Sequence, residues 1–171
     1  MKIIPSKKQT EIRLRTLSLF AALIALIGIS LCENARAQIY VATADNGAAD
    51  RVFAYNANGS ALGGFTTITG NNPYGVALDG AGNLYVGNLN GPNILKYNAL
   101  TGVILGNPLG AANQPFGLAV SGNIIYGAGY NTNIVSKYNA TTGAVITNNL
   151  IGGIATPTAV AFDGSGKLYV V

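Results

Sequence analysis

Between residues 38 and 171 the side chains able to do acid–base or metal chemistry come down to four aspartates, Asp45, Asp50, Asp79 and Asp163, with no histidine, cysteine or glutamate. Such a set lacks the usual general base, a thiolate nucleophile and the commonest metal ligands. No catalytic residue, metal site or cofactor is therefore expected. Asp79 and Asp163 open equivalent runs, Asp79-Gly80-Ala81-Gly82 and Asp163-Gly164-Ser165-Gly166, so a pair of equivalent calcium ligands has to be weighed. Turn capping is the expected role, because an Asp-Gly turn uses its carboxylate to accept backbone N–H groups. Ser121 stands at the equivalent position between them, and a serine caps a turn well but binds calcium poorly. Asp45 and Asp50 lie in an irregular loop with room for a cation, where ordinary solvated acids are expected.

The elements that must carry these residues are repeated. Pro73 opens P-Y-G-V-A-L-D-G-A-G-N-L-Y-V, Pro115 opens P-F-G-L-A-V-S-G-N-I-I-Y, and Pro157 opens P-T-A-V-A-F-D-G-S-G-K-L-Y-V, at intervals of 42 residues. Tyr55, Tyr97 and Tyr138, each followed by asparagine, keep the same beat, as do Tyr40, Tyr85, Tyr126 and Tyr169 within apolar runs. A period of roughly 40 to 50 residues in an all-β pattern is the mark of propeller blades.

With strands named A to D from the inside out, residues 38–69 make a partial blade B-C-D, 73–107 and 115–149 make whole blades, and 157–171 make a partial blade A-B. The D strands are expected at residues 62–69 and 103–106 in the first two units. Strand A reads G-V-A-L without alternation, as a strand buried on both faces should. Proline at its first position costs no ladder hydrogen bond. The repeats amount to about 3.2 units of 42 residues, against the four to eight blades of a usual ring. An all-β propeller, incomplete or open, is the fold expected.

Residues 1–37 read differently. Lys2, Lys7, Lys8, Arg13 and Arg15 precede an apolar run over residues 19–32, and Ala35-Arg36-Ala37 forms an A-x-A cleavage site. This is the order of a secretory signal peptide, and the run is too short for a spanning helix of about 20 residues. A secreted, periplasmic or cell-surface location is expected, with no stable membrane span after cleavage. An uncleaved anchor is the alternative. The leader holds six of the ten basic residues and the only cysteine, Cys32. Residues 38–171 then balance four basic residues against four aspartates, which removes any electrostatic case for nucleic acid.

The run P-x-G-V-A-L-D-G-x-G-N-L-Y-V resembles the NHL-repeat family of β-propellers, in which proline and glycine precede the inner strand and an Asp-Gly hairpin leads to an I/L-Y-V strand. That resemblance implies fold more than function, since such propellers include binding scaffolds and enzymes. Propellers resembling the gluconolactonase or streptogramin-lyase families would need an acidic metal centre or a catalytic histidine, and neither maps onto residues 38–171. The chain is accordingly expected not to be an enzyme. The alternative is a piece of a larger propeller enzyme whose catalytic residues lie elsewhere.

Alternating strand direction puts the D-to-A and B-to-C loops on one face and the tight A-to-B and C-to-D turns on the other. Binding usually resides in loops held on a rigid scaffold. The candidate ligand face is Asp45, Asp50, Asn71, Asn72, Tyr74, Asn88, Asn90, Asn113, Gln114, Phe116, Tyr130 and Asn131. Its neutral, aromatic character suits a glycan or a protein partner. Asparagine and glycine also serve loops for backbone reasons alone, and Tyr74 and Phe116 also suit packing between blades. Self-association through open blade edges is a third expectation. In its dimeric form, strand A of the fourth unit completes the first unit of a second copy, although residues 167–171 then duplicate residues 38–43.

Overall fold

A computed structural model describes residues 38–44, 50–90, 94–106, 109 and 114–171. The leader, Asp45, Asn113 and parts of the 44–50, 88–93 and 107–114 loops lie outside the described residues. The rest is all β, twelve strands in four small antiparallel sheets. The first sheet has the order β1 (Gln38–Thr43), β2 (Arg51–Asn56), β3 (Ile68–Thr69), and the second β4 (Pro73–Leu78), β5 (Asn83–Asn88), β6 (Ile94–Asn98). The third holds β7 (Pro115–Ser121), β8 (Ile124–Gly129), β9 (Ile134–Asn139) and β10 (Val145–Gly152), and the fourth β11 (Val160–Phe162) and β12 (Leu168–Val170).

The core lies between consecutive sheets rather than within any one of them. Val52 and Ile68 of the first sheet pack with Leu84, Val86, Leu95 and Tyr97 of the second. Tyr85 and Ile94 of the second pack with Leu118, Ile125 and Tyr138 of the third, and Ala128 and Val135 of the third with Val160 of the fourth. Strand β5 therefore sends Leu84 and Val86 one way and Tyr85 the other, and all three are fully buried. Complete burial of a Val or Leu side chain contributes about 1.5–3 kcal/mol. This two-sided burial is why its apolar residues do not alternate with polar ones.

Glycine sets the spacing of the inner strands. A β-carbon on Gly75 would lie 2.5 Å from the Phe116 carbonyl oxygen, and one on Gly117 would lie 2.6 Å from Ala159 Cα. The glycine of each P-x-G thus lets β4 approach β7, and β7 approach the chain entering β11.

The turns close as capped hairpins. Asp79 Oδ1 accepts from the N–H groups of Ala81 and Asn83, both at 2.9 Å, and Asp79 Oδ2 from Asn83 Nδ2 at 2.7 Å and the Tyr85 hydroxyl at 2.9 Å. Asp163 repeats the pattern with Ser165, Lys167 and Tyr169. The positive φ falls on the last glycine, Gly82 at 81° and Gly166 at 82°, not on Gly80 or Gly164. On the C-to-D side, Asn98 Oδ1 accepts from Leu100 and Thr101, and Asn139 Oδ1 from Thr141 and Thr142.

The outer strands depart from the sequence reading. In the first unit, residues 62–69 reduce to β3, with Ala61 just before them bridging to Tyr55. In the second, residues 103–106 form no strand, only a bridge from Ile104 to Tyr97, and Leu109 beyond them bridges to Ile94. Val103, Ile104 and Leu105 are exposed, but so are Val145, Ile146 and Leu150 of β10, so exposure alone does not separate the outer runs that stay extended from those that do not. The third unit instead grows a full β10, reaching Gly152 with two register shifts against β9.

Candidate functional site

Three residues at one repeated position start the site. Asn72, Gln114 and Thr156 each precede the proline of an inner strand, and each has a positive φ, at 56°, 40° and 46°. A following proline pushes its predecessor toward extended geometry, and a non-glycine residue at positive φ is strained, most of all when β-branched. Hydrogen bonds between loops hold the three in place. The Asn72 carbonyl accepts from Leu89 N–H and the Asn71 carbonyl from Asn90 N–H. The Gln114 side chain donates to the Leu89 carbonyl at 3.3 Å and accepts from Asn131 Nδ2 at 2.6 Å. Thr156 N–H donates to Asn133 Oδ1 at 2.8 Å.

These bonds join residues before each inner strand to residues after β5 and β8, so the two loop sets meet on one face. The opposite turns likewise join one another, Ala99 N–H to the Gly82 carbonyl and Ala140 N–H to the Asn123 carbonyl.

On the first face the inner strands present an aromatic ladder. Tyr74 and Phe116 stack with centroids 4.1 Å apart and planes 28° apart, and Phe116 and Tyr130 stack at 4.5 Å and 25°. Each ring is half-buried. Tyr74 and Phe116 occupy the same place in their repeats, and Tyr130 closes the row from the loop after β8. The Gln114–Asn131 amide pair belongs to the residues flanking Phe116 and Tyr130. Such a row offers ring faces, phenol hydroxyls and amides, a neutral binding chemistry.

The remaining candidates scatter around it. Asn72 and Asn88 are buried, at 0% and 2% exposure, with Asn88 Nδ2 donating to the Val86 carbonyl; both are framework for the loops. Asn71, Asn90 and Asn131 are exposed. Asp50 is buried, and its carbonyl accepts from Gly70 N–H beside Asn71. Asn133 and Thr156 were not among the sequence candidates. The position of Thr156, immediately before Pro157 as Asn72 is before Pro73, was the available signal.

The carboxylates with perturbed titration serve the turns. Burial works to raise Asp79, but bonds from Asn83, Tyr85 and Ala81 outweigh it and hold its pKa below the ordinary value. Asp163 is drawn down to about 2, first by the Ser165 hydroxyl and then by backbone N–H groups and the Tyr169 hydroxyl. Burial, then the bond and charge of Asp79, push the Tyr85 hydroxyl well above the usual phenol range. Among the described residues no three His, Cys, Asp or Glu side chains come together.

No protein-family model and no curated protein matches the chain. Solved structures do resemble it. It is similar to the computationally designed Ika8 protein at 21% identity and a TM-score of 0.50, over 66% of this chain and 34% of that one. A gluconolactonase from Xanthomonas campestris is similar at 18% identity and a TM-score of 0.58, over 71% of this chain and 41% of the enzyme. The designed Ika4 protein is similar at 15% identity and a TM-score of 0.54, over 77% and 84%. The chain thus spans about a third to two fifths of the first two. The shared feature is a propeller-like all-β fold.

One expectation is corrected by this finding. The chain was expected not to be an enzyme, yet a gluconolactonase is among the structures that share its fold. A propeller site gathers side chains from loops of several units, and this chain spans only part of that enzyme. The missing histidine, cysteine and glutamate therefore do not exclude catalysis.

Proposed function

We propose that residues 38–171 are a segment of an exported β-propeller whose loop face binds a neutral carbohydrate. In this reading the four sheets are blades of NHL-like type, at residues 38–69, 73–107, 115–149 and 157–171. The observation that carries it is the Tyr74–Phe116–Tyr130 ladder with the Gln114–Asn131 amide pair beside it. Ring faces pack against the apolar C–H face of a sugar, and amides and phenols answer its hydroxyls. Export rests on the basic, apolar and A-x-A order of residues 1–37.

The fold similarity to a gluconolactonase favours a second reading, in which the same face forms part of a sugar-lactone site in a larger propeller enzyme. Both readings put a sugar ring on one ladder. The test is calorimetric titration of the full chain with neutral oligosaccharides and with gluconolactone, alongside an assay of lactone hydrolysis. Saturable binding weakened by Tyr130→Ala is expected. Absence of binding to every sugar, or binding indifferent to that substitution, overturns both readings. Turnover of the lactone decides for the second.

A further inference from the structure

Tyr130 and Asn131 stand together in one turn after β8. Thr132 N–H and Asn133 N–H both donate to the Gly129 carbonyl, at 3.2 and 2.9 Å, and the Thr132 hydroxyl reaches the same oxygen at 3.2 Å. The turn thus holds Tyr130 at the end of the aromatic ladder with Asn131 exposed beside it.

The ladder is closed inside. Phe116 has Tyr74 at 4.1 Å and Tyr130 at 4.5 Å, both nearly parallel to it. A sugar between two rings needs a carbon contact of about 3.5–4.0 Å on each of its faces, roughly twice the spacing present. Only the outer faces of Tyr74 and Tyr130 can therefore take one. Tyr74 lies between Pro73 and Gly75, which carry no polar side chain, whereas Tyr130 has the Gln114–Asn131 amide pair at its side.

The backbone fixes the sense of that pair. The Leu89 carbonyl can only accept, so the Gln114 atom facing it at 3.3 Å is Nε2. Gln114 then presents Oε1 to Asn131, and that oxygen requires Asn131 Nδ2 opposite it, at 2.6 Å. Asn131 Oδ1 is left on the other side of its amide, and among the described residues no group donates to it.

We propose that one pyranose ring lies on the outer face of Tyr130 and donates a hydroxyl hydrogen bond to Asn131 Oδ1, a proposal that rests on the ladder being a sugar site. Gln114 is the positioning residue that sets the sense of the Asn131 amide. An ether oxygen or a fluorine at that place on the sugar meets the lone pairs of Asn131 Oδ1 with nothing to donate, so the site discriminates against both.

The experiment titrates the full chain with the methyl glycosides of glucose, galactose and mannose, followed by chemical shifts of the Asn131 side-chain amide and the Tyr130 ring. Saturable binding of at least one is expected. Among its monodeoxy, deoxyfluoro and mono-O-methyl derivatives, one ring position should lose about two- to tenfold in affinity in all three forms. That discrimination should vanish in Asn131→Ala and shrink in Gln114→Ala. Gln114→Glu, which still accepts from Asn131 Nδ2, should keep it. Equal affinity of all derivatives, or discrimination that survives Asn131→Ala or Gln114→Ala, overturns the proposal, while binding weakened by Tyr130→Ala leaves the ladder reading standing. Failure of all three glycosides to bind also overturns it; the ladder reading falls with it only if the oligosaccharides fail as well.

Discussion

Gly75 faces Phe116 across the step between two sheets, at a distance that leaves no room for a methyl group: a β-carbon there would lie 2.5 Å from the Phe116 carbonyl oxygen and 3.1 Å from Leu118 N. The atoms it would strike are backbone, held by the β7–β8 ladder, and cannot swing aside. Gly75→Ala should lower the unfolding free energy by about 1–3 kcal/mol through overpacking. Gly80→Ala, with nothing within 4 Å and no positive φ, is the control expected to leave the urea midpoint nearly unmoved. Equal effects of the two would mean that the inner strands are not this close in solution.

Asp79 should matter more as a hydrogen-bond acceptor than as a charge. Asp79→Ala removes the nearer acceptor of Tyr85, whose ring is fully buried, leaving its hydroxyl only the Ala140 carbonyl at 3.5 Å, and frees two backbone N–H groups of the turn. Losing the partner of a buried polar group costs about 1–3 kcal/mol. Asp79→Asn, which keeps an acceptor oxygen, should recover part of that loss in chemical denaturation. A full loss in both variants would instead point to the charge.

The pH dependence has opposite signs at the two ends of the scale. Asp79 and Asp163 have depressed pKa values in the folded chain, Asp163 at about 2. Their contribution is present above the unfolded carboxylate value of about 3.9 and disappears as pH falls through the folded values. Tyr85 is raised, so its contribution is full below about pH 10 and lost as pH climbs through the folded value. The urea midpoint should fall from about pH 4 to pH 2, fall again above about pH 10, and lose part of its acid slope in Asp79→Asn. A midpoint level from pH 4 to pH 2 would contradict the turn-cap geometry.

The aromatic ladder can be probed without a ligand. Phe116→Ala removes the ring between Tyr74 and Tyr130 and should cost about 0.5–1.5 kcal/mol for each lost stack beyond the area exposed. Tyr130→Ala breaks one stack only, so its loss of stability should be the smaller. In a double-mutant cycle, Tyr74→Ala and Phe116→Ala should couple, while Tyr74→Ala and Tyr130→Ala should be nearly additive, because their rings meet only through Phe116. Strong coupling of the outer pair would mean that the two rings touch when Phe116 is gone.

Much of this was readable along the chain. The interval between Pro73, Pro115 and Pro157 marks where the inner strands start, and β4 and β7 do start on their prolines. Asp79 and Asp163 cap hairpins because every partner of their carboxylates lies within six residues, and such short-range bonds form wherever the local sequence allows them. The outer strands were harder. The runs at residues 62–69 and 103–106 have β-prone composition, but whether an outermost run stays extended depends on its pairing with the strand inside it, which β10 makes along β9 and these runs make only at isolated positions, and that is not a property of the run itself. In the candidate site, Tyr74, Phe116 and Tyr130 were legible as aromatics at loop ends, but their stacking was not, nor was the bond from Thr156 N–H to Asn133, because only the fold brings those residues together.

The sequence by itself determined the all-β repeat, the order of strands and the capped turns, since each rests on alternation, proline and glycine placement, or hydrogen bonds spanning a few residues. Only the tertiary structure decided what meets across a repeat: the stacking of Tyr74 on Phe116 and the need for no side chain at Gly75. Those features arise from the distance between consecutive sheets, set by packing among residues about 40 positions apart, and no local pattern encodes that distance.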